Sequence, residues 1–176
     1  LFSGIDLTGK SIALVGAGMD ATKFVFTGSG DAIKPIGAEA ILLEGFTLDV
    51  NGKASAGIVI VNTKYAFVKR VRITGSTTRI WHLNVWDSQY EQGGEHACKL
   101  AVIEEVVSEN NTVEDDSGIC VSFVPKAIVR GCVLRKHSNA GTVLLNWYSE
   151  DVTFIDNLLE DNTKHADIGS TPPVSY

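Results

Sequence analysis

The chain has 176 residues, 44% of them hydrophobic and 20% charged, which fits a globular domain and excludes general disorder and a fibrous repeat. Its net charge of −6 argues against a nucleic-acid scaffold, which needs a basic face to neutralise phosphates. We therefore expect no nucleic-acid partner. No apolar run approaches the roughly 20 residues that span a bilayer, and no signal peptide is visible, so we also expect no membrane insertion. Three cysteines without zinc-type spacing fit reduced thiols better than a disulfide framework.

The most informative feature is an internal repeat. A segment of two short apolar strands, joined by a charged or glycine-containing kink, occurs five times. Its copies begin at Ala40, Tyr65, Leu100, Lys126 and Asp151, at separations of 25, 35, 26 and 25 residues. Strands this short, at this period and without helical periodicity, predict a β-solenoid whose coils bury one another's apolar faces.

Alternation along the strands assigns faces to the side chains. Two inward columns are predicted in the repeated segment: Leu43, Val68, Ile103, Val129, Phe154, and Leu48, Ile73, Ser108, Leu134, Leu159. A shorter second unit follows each copy, with predicted inward residues Ile58 and Ile60, Ile80 and His82, Ile119 and Val121, Thr142 and Leu144, and then a column of Asn62, Asn84, Phe123 and Asn146. The outward residues of this unit form an apolar stripe typical of an interface or a lid site: Val59, Val61, Trp81, Leu83, Cys120, Val143 and Leu145.

Two stretches carry a family resemblance. The segment 146–162, with Asp151-Val-Thr-Phe-Ile-Asp-Asn-Leu-Leu-Glu-Asp-Asn162, resembles the parallel β-helix repeat of the pectate-lyase-like superfamily, and the opening 9–22 is similar to the early coil of its phage-tailspike and polysaccharide-processing branch. The resemblance implies an all-β fold, a right-handed parallel β-helix of about six coils in a single domain, 1–176, with a polymer-binding flank. It further implies a polysaccharide partner, a homotrimer, and a place on a virion tail or outside the cell. Since neither end shows a cap and the chain does not begin with Met, we expect a fragment or a processed chain.

An interruption of the repeat is the first candidate for function, because loops on such scaffolds vary where strands do not. Sixteen residues follow Asn84 before Ala101, whereas three follow Asn62 before its matching alanine. We interpret 85–99 as a loop insertion. Its Trp86 and Tyr90 are candidates for stacking on sugar rings. The alternative is a loop that covers an apolar flank or meets a neighbouring subunit.

A column of charged residues is the second candidate. The repeat aligns Asp49, Thr74, Glu109, Arg135 and Glu160 on successive coils, as it does Glu44, Lys69, Glu104 and Arg130. Structural ion-pair ladders explain such columns. The sharper hypothesis makes Glu109 and Glu160 the acid and base of an inverting glycosidase, two coils and roughly 9–10 Å apart, with Arg135 as substrate anchor.

The turns beside this column supply the remaining candidates. Asp116 is a candidate substrate contact, and oxygen-rich turns of this kind can bind calcium, although they lack the alternate spacing of a dedicated calcium loop. His137 lies beside the one locally basic stretch, where it can contact an anionic glycan. We expect no metal and no cofactor, and His82 is interpreted as a hydrogen-bonded core residue.

These features favour a carbohydrate-active β-helix that resembles a tailspike depolymerase and hydrolyses a bacterial surface polysaccharide. A non-catalytic fibre segment or polysaccharide-binding module is the alternative, because the Asp-Pro-His motif of alginate epimerases, the aspartate motif of polygalacturonases and the pectate-lyase motifs are not recognisable. A secreted pectate-lyase-like lyase or uronate epimerase is a third reading.

Overall fold

The computed structural model describes residues 1–79, 81–112, 118–138, 144–163 and, for the backbone alone, 166–167. In these ranges parallel strands stack as a β-solenoid of about six turns with almost no helix, which confirms the predicted all-β fold. Every strand pairing joins a strand to its counterpart on the neighbouring coil. The described ranges contain no helix long and apolar enough to cross a membrane.

Two parallel sheets run the length of the stack. The long sheet contains β2 Ile12–Val15, β3 Lys23–Val25, β5 Ala40–Asp49, β7 Tyr65–Thr74, β9 Leu100–Glu104, β10 Val107–Glu109, β12 Lys126–Arg130, β13 Val133–Arg135, β15 Asp151–Ile155 and β16 Leu158–Glu160. The short sheet contains β1 Ile5–Asp6, β4 Ile33–Lys34, β6 Ile58–Val61, β8 Leu83–Trp86, β11 Ile119–Ser122, β14 Leu144–Trp147 and β17 Ala166–Asp167. One short helix, α1, spans Ser88–Glu91 between β8 and β9.

The core lies between the two sheets, and the predicted columns of the long sheet are confirmed. Leu43 pairs with Val68, Val68 with Ile103, and Ile103 with Val129, and all four are fully buried. Phe154, which lies in the last of these strands, is only partly buried. Because each coil covers the apolar face of the next, the column is continuous from coil to coil.

The kink within each repeat is a residue in the left-handed backbone region. These residues are Gly45, Arg70, Glu105, Gly131 and Asp156, with φ between 49° and 70°. A positive φ bends the chain sharply, within β5 and β7 on two coils and between consecutive strands of the long sheet on the later ones. This explains why glycine or a polar residue holds the position.

In the short sheet, the predicted register of β8 is wrong by three residues. Ile58 and Ile119 both pair with Leu83, and Ile60 and Val121 both pair with Val85. Leu83 is therefore fully buried in the core and not part of an outward stripe. Eight residues separate Asp49 from Ile58, and eight separate Thr74 from Leu83. The equal length of these two turns sets the register of β8 against β6.

The correction also removes the predicted asparagine column. Asn84 pairs with Val59 and Cys120 on the outward side, whereas Asn146 pairs with the inward Val121. Asn62 lies beyond the end of β6. Ile80 and Thr142, also placed in the inward columns, lie outside the described residues.

A polar cluster interrupts the otherwise apolar core at Ser108. The Ser108 hydroxyl lies 2.8 Å from Nδ1 of His82 and 3.2 Å from Nε2 of His137, and both imidazoles are fully buried. Nε2 of His82 lies 2.7 Å from the carbonyl oxygen of Gly75. The prediction of His82 as a hydrogen-bonded core residue is confirmed.

Candidate functional site

All three tryptophans of the chain line a single groove on the outer face of the short sheet. The groove has a volume of about 190 Å³, and its lining residues are Trp81, Asn84, Trp86, Glu91, Ser122, Phe123 and Trp147. Its walls are aromatic, and its polar groups are an amide, a hydroxyl and a carboxylate. We refer to it as the tryptophan groove.

Strand register creates the opening between two of the indoles. Trp86 at the end of β8 and Trp147 at the end of β14 both align with Ser122 on the coil between them. Neighbouring coils lie about 4.8 Å apart, so the two tryptophan backbones stand about 9–10 Å apart. The residue between them is a small serine, which is itself only 2% exposed.

The floor of the groove is polar. Asn84 occupies an outward position of β8, but its side chain is only 1% exposed. Its Oδ1 accepts a hydrogen bond of 3.1 Å from the Ser122 hydroxyl. The remaining nitrogen, Nδ2, is buried and finds no hydrogen-bond partner in the described part of the chain.

The segment between β8 and β9 braces one wall of the groove. Val85 and Trp86 belong to β8, and thirteen residues then separate Asp87 from Ala101, where three separate Asn62 from Ala66. The Trp86 indole donates a hydrogen bond of 3.0 Å to Glu91 at the end of α1. This bond holds the Trp86 ring against the helix.

Buried Asp87 is the centre of this segment. Its Oδ1 accepts from the backbone N–H of Tyr90, capping α1, and its Oδ2 accepts from the backbone N–H of Cys98 at 2.9 Å. Oδ2 also lies 3.2 Å from Nδ1 of His96. Through these hydrogen bonds the fully buried carboxylate connects the beginning of the segment, at α1, with its end, at Cys98.

His96 connects the segment to the coil that carries Trp147. Its Nε2 lies 3.2 Å from Oε1 of Glu150, three residues beyond Trp147. Its ring stacks on Tyr90 at 3.6 Å between centroids. Tyr90, predicted to contact sugar, thus has one ring face occupied by His96 and does not line the tryptophan groove, whereas Trp86 does.

The predicted charged column is aligned as expected from the repeat. Glu109 pairs with Arg135, and Arg135 pairs with Glu160. Nε of Arg135 donates a hydrogen bond of 2.8 Å to Oε2 of Glu109, and a terminal nitrogen of Arg135 forms an ion pair with the same oxygen at 2.8 Å. Arg72 adds a second cation 3.8 Å from Oε1 of the same carboxylate, whose side chain is only 14% exposed.

The second charged column is an ion-pair ladder. Glu104 contacts Lys69 at 3.4 Å on one side and Arg130 at 2.6 Å on the other, and Glu44 pairs with Arg70. Partial burial raises the pKa of Glu104, but hydrogen bonds from Arg130 and Lys69 outweigh this, so the pKa lies below its ordinary value. The ladder stabilises the stack and offers no free group for chemistry.

The remaining predicted contacts divide into buried and undescribed residues. The His137 side chain is fully buried, and burial lowers its pKa, so its ring presents no face to a ligand in this structure. Asp116 lies outside the described residues. Within the described ranges, no group of three or more histidine, cysteine, aspartate or glutamate side chains is arranged to hold a metal ion.

The predicted outward apolar stripe is largely covered by the chain itself. Val59 and Val61 are 6% and 8% exposed and pack with Ile36 and Trp86, and Cys120 is fully buried. Val143 lies outside the described residues. The stripe predicted as an interface or a lid site therefore presents little free apolar surface at these positions.

Sequence reasoning found Trp86 but missed its neighbours Asn84 and Trp147 as members of one site. The signal was present: turns of eight residues before β8 and β14 and of nine residues before β11 place Trp86, Ser122 and Trp147 in one column. The three-residue register error separated them.

Comparison of the chain with protein-family models, curated proteins and solved structures finds no significant match. The fold places the protein in the class of parallel β-helices, and the tryptophan groove is its candidate functional site.

Proposed function

We propose that this β-helix binds a polysaccharide and that the tryptophan groove is the contact surface. The observation that carries the proposal is the convergence of all three tryptophans on one groove with a polar floor. Tryptophan is costly to leave exposed, yet Trp147 is 38% exposed at the groove. Aromatic side chains at such positions are typical of binding surfaces.

The chemistry of the groove matches that of a sugar. A pyranose ring has C–H faces that pack against aromatic rings and a rim of hydroxyl groups that need hydrogen-bond partners. The indoles of Trp86 and Trp147 supply the apolar faces, and Asn84, Ser122 and Glu91 supply polar partners. A stacked solenoid also presents its outer face along its full length, which suits an extended polymer.

Hydrolysis of the bound polymer is the second candidate function. Alignment of Glu109, Arg135 and Glu160 on three successive coils favours it, because two carboxylates separated by two coils are about 9–10 Å apart, close to the upper limit for an inverting pair. The contact of two Arg135 nitrogens with Oε2 of Glu109 favours the structural alternative. Binding without cleavage is therefore the primary proposal.

The family relationship, assembly and location are part of the same proposal. Membership of the pectate-lyase-like superfamily in its tailspike branch, a homotrimeric assembly, and a place on a virion tail or outside the cell all accord with a polysaccharide ligand. Calcium and other cofactors are not required by the binding chemistry of the groove.

Affinity gel electrophoresis tests the proposal. The wild-type protein and Trp86→Ala are run in native gels that contain neutral, acidic or acetamido polysaccharides, with product release measured in parallel. Retarded migration of the wild type in at least one gel, weakened in Trp86→Ala, supports binding at the groove. Retardation of neither protein by any polymer contradicts it. Reducing-end release that disappears in a Glu109→Gln, Glu160→Gln double variant supports the second candidate.

A further inference from the structure

Two hydrogen-bond donors in the tryptophan groove have no acceptor. Nδ2 of Asn84 and Nε1 of Trp81 are both buried, and neither has a partner in the described part of the chain. In the observed orientation of the Asn84 amide, Oδ1 accepts from the Ser122 hydroxyl and Nδ2 is the atom left without a partner. Buried donors of this kind are rare in native structures, and each calls for an acceptor.

The groove also contains one acceptor with spare capacity. Oε2 of Glu91 accepts from the Trp86 indole, and the Glu91 side chain is otherwise exposed. A carboxylate has about four lone-pair sites, so it can accept from a ligand N–H as well. The same negative charge disfavours a ligand carboxylate beside it.

We propose that the tryptophan groove is a subsite for an acetamido sugar, a pyranose that carries an N-acetyl group. This deepens the proposed function and rests on it. The acetyl carbonyl, a pure acceptor, pairs with the Asn84 amide and the Trp81 indole. The acetamido N–H donates to Glu91, and the methyl group lies against the indole walls.

Other sugar substituents satisfy the groove less completely. A hydroxyl group can accept from a free nitrogen and donate to Glu91, but both functions lie on one oxygen and it brings no apolar end to the indole walls. A uronate supplies acceptors but places its charge near Glu91. An amino sugar brings a cation with donors alone and leaves the nitrogens of Asn84 and Trp81 unpaired. The acetamido group combines an acceptor, a donor and an apolar end in one substituent.

Access to the floor requires a movement of one wall. Both free nitrogens are covered by neighbouring side chains, so a ligand that reaches them has to displace part of the aromatic wall. Because the chain contains three tryptophans and all line the groove, their three indole N–H resonances report this displacement directly.

The test is a titration of ¹⁵N-labelled wild-type protein with matched monosaccharide pairs, observed at the indole N–H resonances. The pairs are N-acetylglucosamine with glucose, N-acetylgalactosamine with galactose, and N-acetylmannosamine with mannose, so that only the substituent differs within a pair. We expect at least one acetamido sugar to shift the indole signals with an affinity roughly tenfold or more above that of its hydroxyl partner.

Two negative outcomes are distinct. Equal shifts from both members of every pair would overturn the acetamido subsite and leave polysaccharide binding at the groove standing. No shift with any sugar, together with retardation by no polysaccharide, would overturn the proposed function as well. The variant Asn84→Asp, which exchanges the free donor for an acceptor, should lose the preference within a pair; Asn84→Ala serves where the aspartate variant fails to fold. A variant that folds and keeps the preference would contradict the proposal.

Discussion

Trp86 and Trp147 occupy the same outward column of the short sheet, two coils apart, with Ser122 between them. Although they are 61 positions apart in the sequence, parallel stacking of the coils places both residues in the lining of one groove. The width of the groove follows from the coil spacing and from the small residue between the walls. Its braces are Glu91 on one side and the contact of His96 with Glu150 on the other.

The first prediction concerns the exposed wall. Trp147→Ala should weaken polysaccharide binding by about 1–2 kcal/mol, roughly 5- to 30-fold in Kd, because it removes the aromatic face that a sugar ring contacts. Isothermal titration calorimetry measures the difference. Ile155→Ala is the matched control, since Ile155 is exposed to a similar degree, 41% against 38%, but lies on the long sheet. Equal losses in the two variants would contradict the assignment of the groove.

The second prediction concerns the brace. Asp87→Ala should lower the free energy of unfolding by about 2–3 kcal/mol, because the buried N–H of Cys98 and the first turn of α1 lose their acceptor. Asp87→Asn keeps one acceptor oxygen and should lose less. Urea denaturation followed by circular dichroism provides both values, and an Asp87→Ala protein as stable as the wild type would show that the segment is not held in this way.

The fold was predictable because the buried apolar residues recur at the same positions in each repeated segment. The columns through Leu43 and Leu48 follow from alternation along the strands and from the alignment of the five repeated segments. The register of β8 was less predictable, since Ile80 and Leu83 are both apolar and the β8 strand is short. The length of the turn between β7 and β8 places Leu83, and not Ile80, opposite Ile58. Hydropathy alone does not contain this backbone constraint.

The third prediction separates the two carboxylates of the charged column. Glu109→Gln should lower the free energy of unfolding by about 1 kcal/mol, since it weakens the ion pair with Arg135 and a nearby contact with Arg72. Glu160→Gln should change it by less than about 0.5 kcal/mol, because no ion pair forms at Glu160 in the described part of the chain. Chemical denaturation of the single variants checks this. Equal effects would mean that the ion pairs at Glu109 contribute nothing.

The fourth prediction is a pH dependence that originates in the core. Burial, followed by the charge of nearby His137, lowers the pKa of His82 from 6.5 to about 3. The unfolded chain therefore binds a proton at His82 more readily than the folded chain does, so stability is complete above pH 6.5 and declines as the pH falls toward 3. The buried His137, whose pKa is also lowered, adds to the same slope.

Unfolding free energies measured between pH 7 and pH 4 test this dependence in the wild type and in His82→Gln. The glutamine retains hydrogen-bonding groups near Ser108 but does not titrate. We expect His82→Gln to be less stable at pH 7 and to show a shallower decline toward pH 4. Parallel pH profiles for the two proteins would exclude His82 as a source of the acid sensitivity.

The candidate site was only partly predictable for a related reason. Trp86 stood out within the interruption of the repeat, but its partners Asn84 and Trp147 belong to regular strands and become a site only when the coils are stacked in the correct register. The burial of His137 was also hidden, because its contact with Ser108 joins residues that are 29 positions apart.

Tryptophan fluorescence tests the central claim most directly, because all three emitting residues line the groove. The emission of the wild-type protein is recorded during titration with a polysaccharide that retards it in a native gel. Our account predicts a saturable change in emission, with a midpoint that moves to higher ligand concentration in Trp147→Ala. Retardation in the gel with unchanged emission would place the binding surface elsewhere on the β-helix and contradict the account.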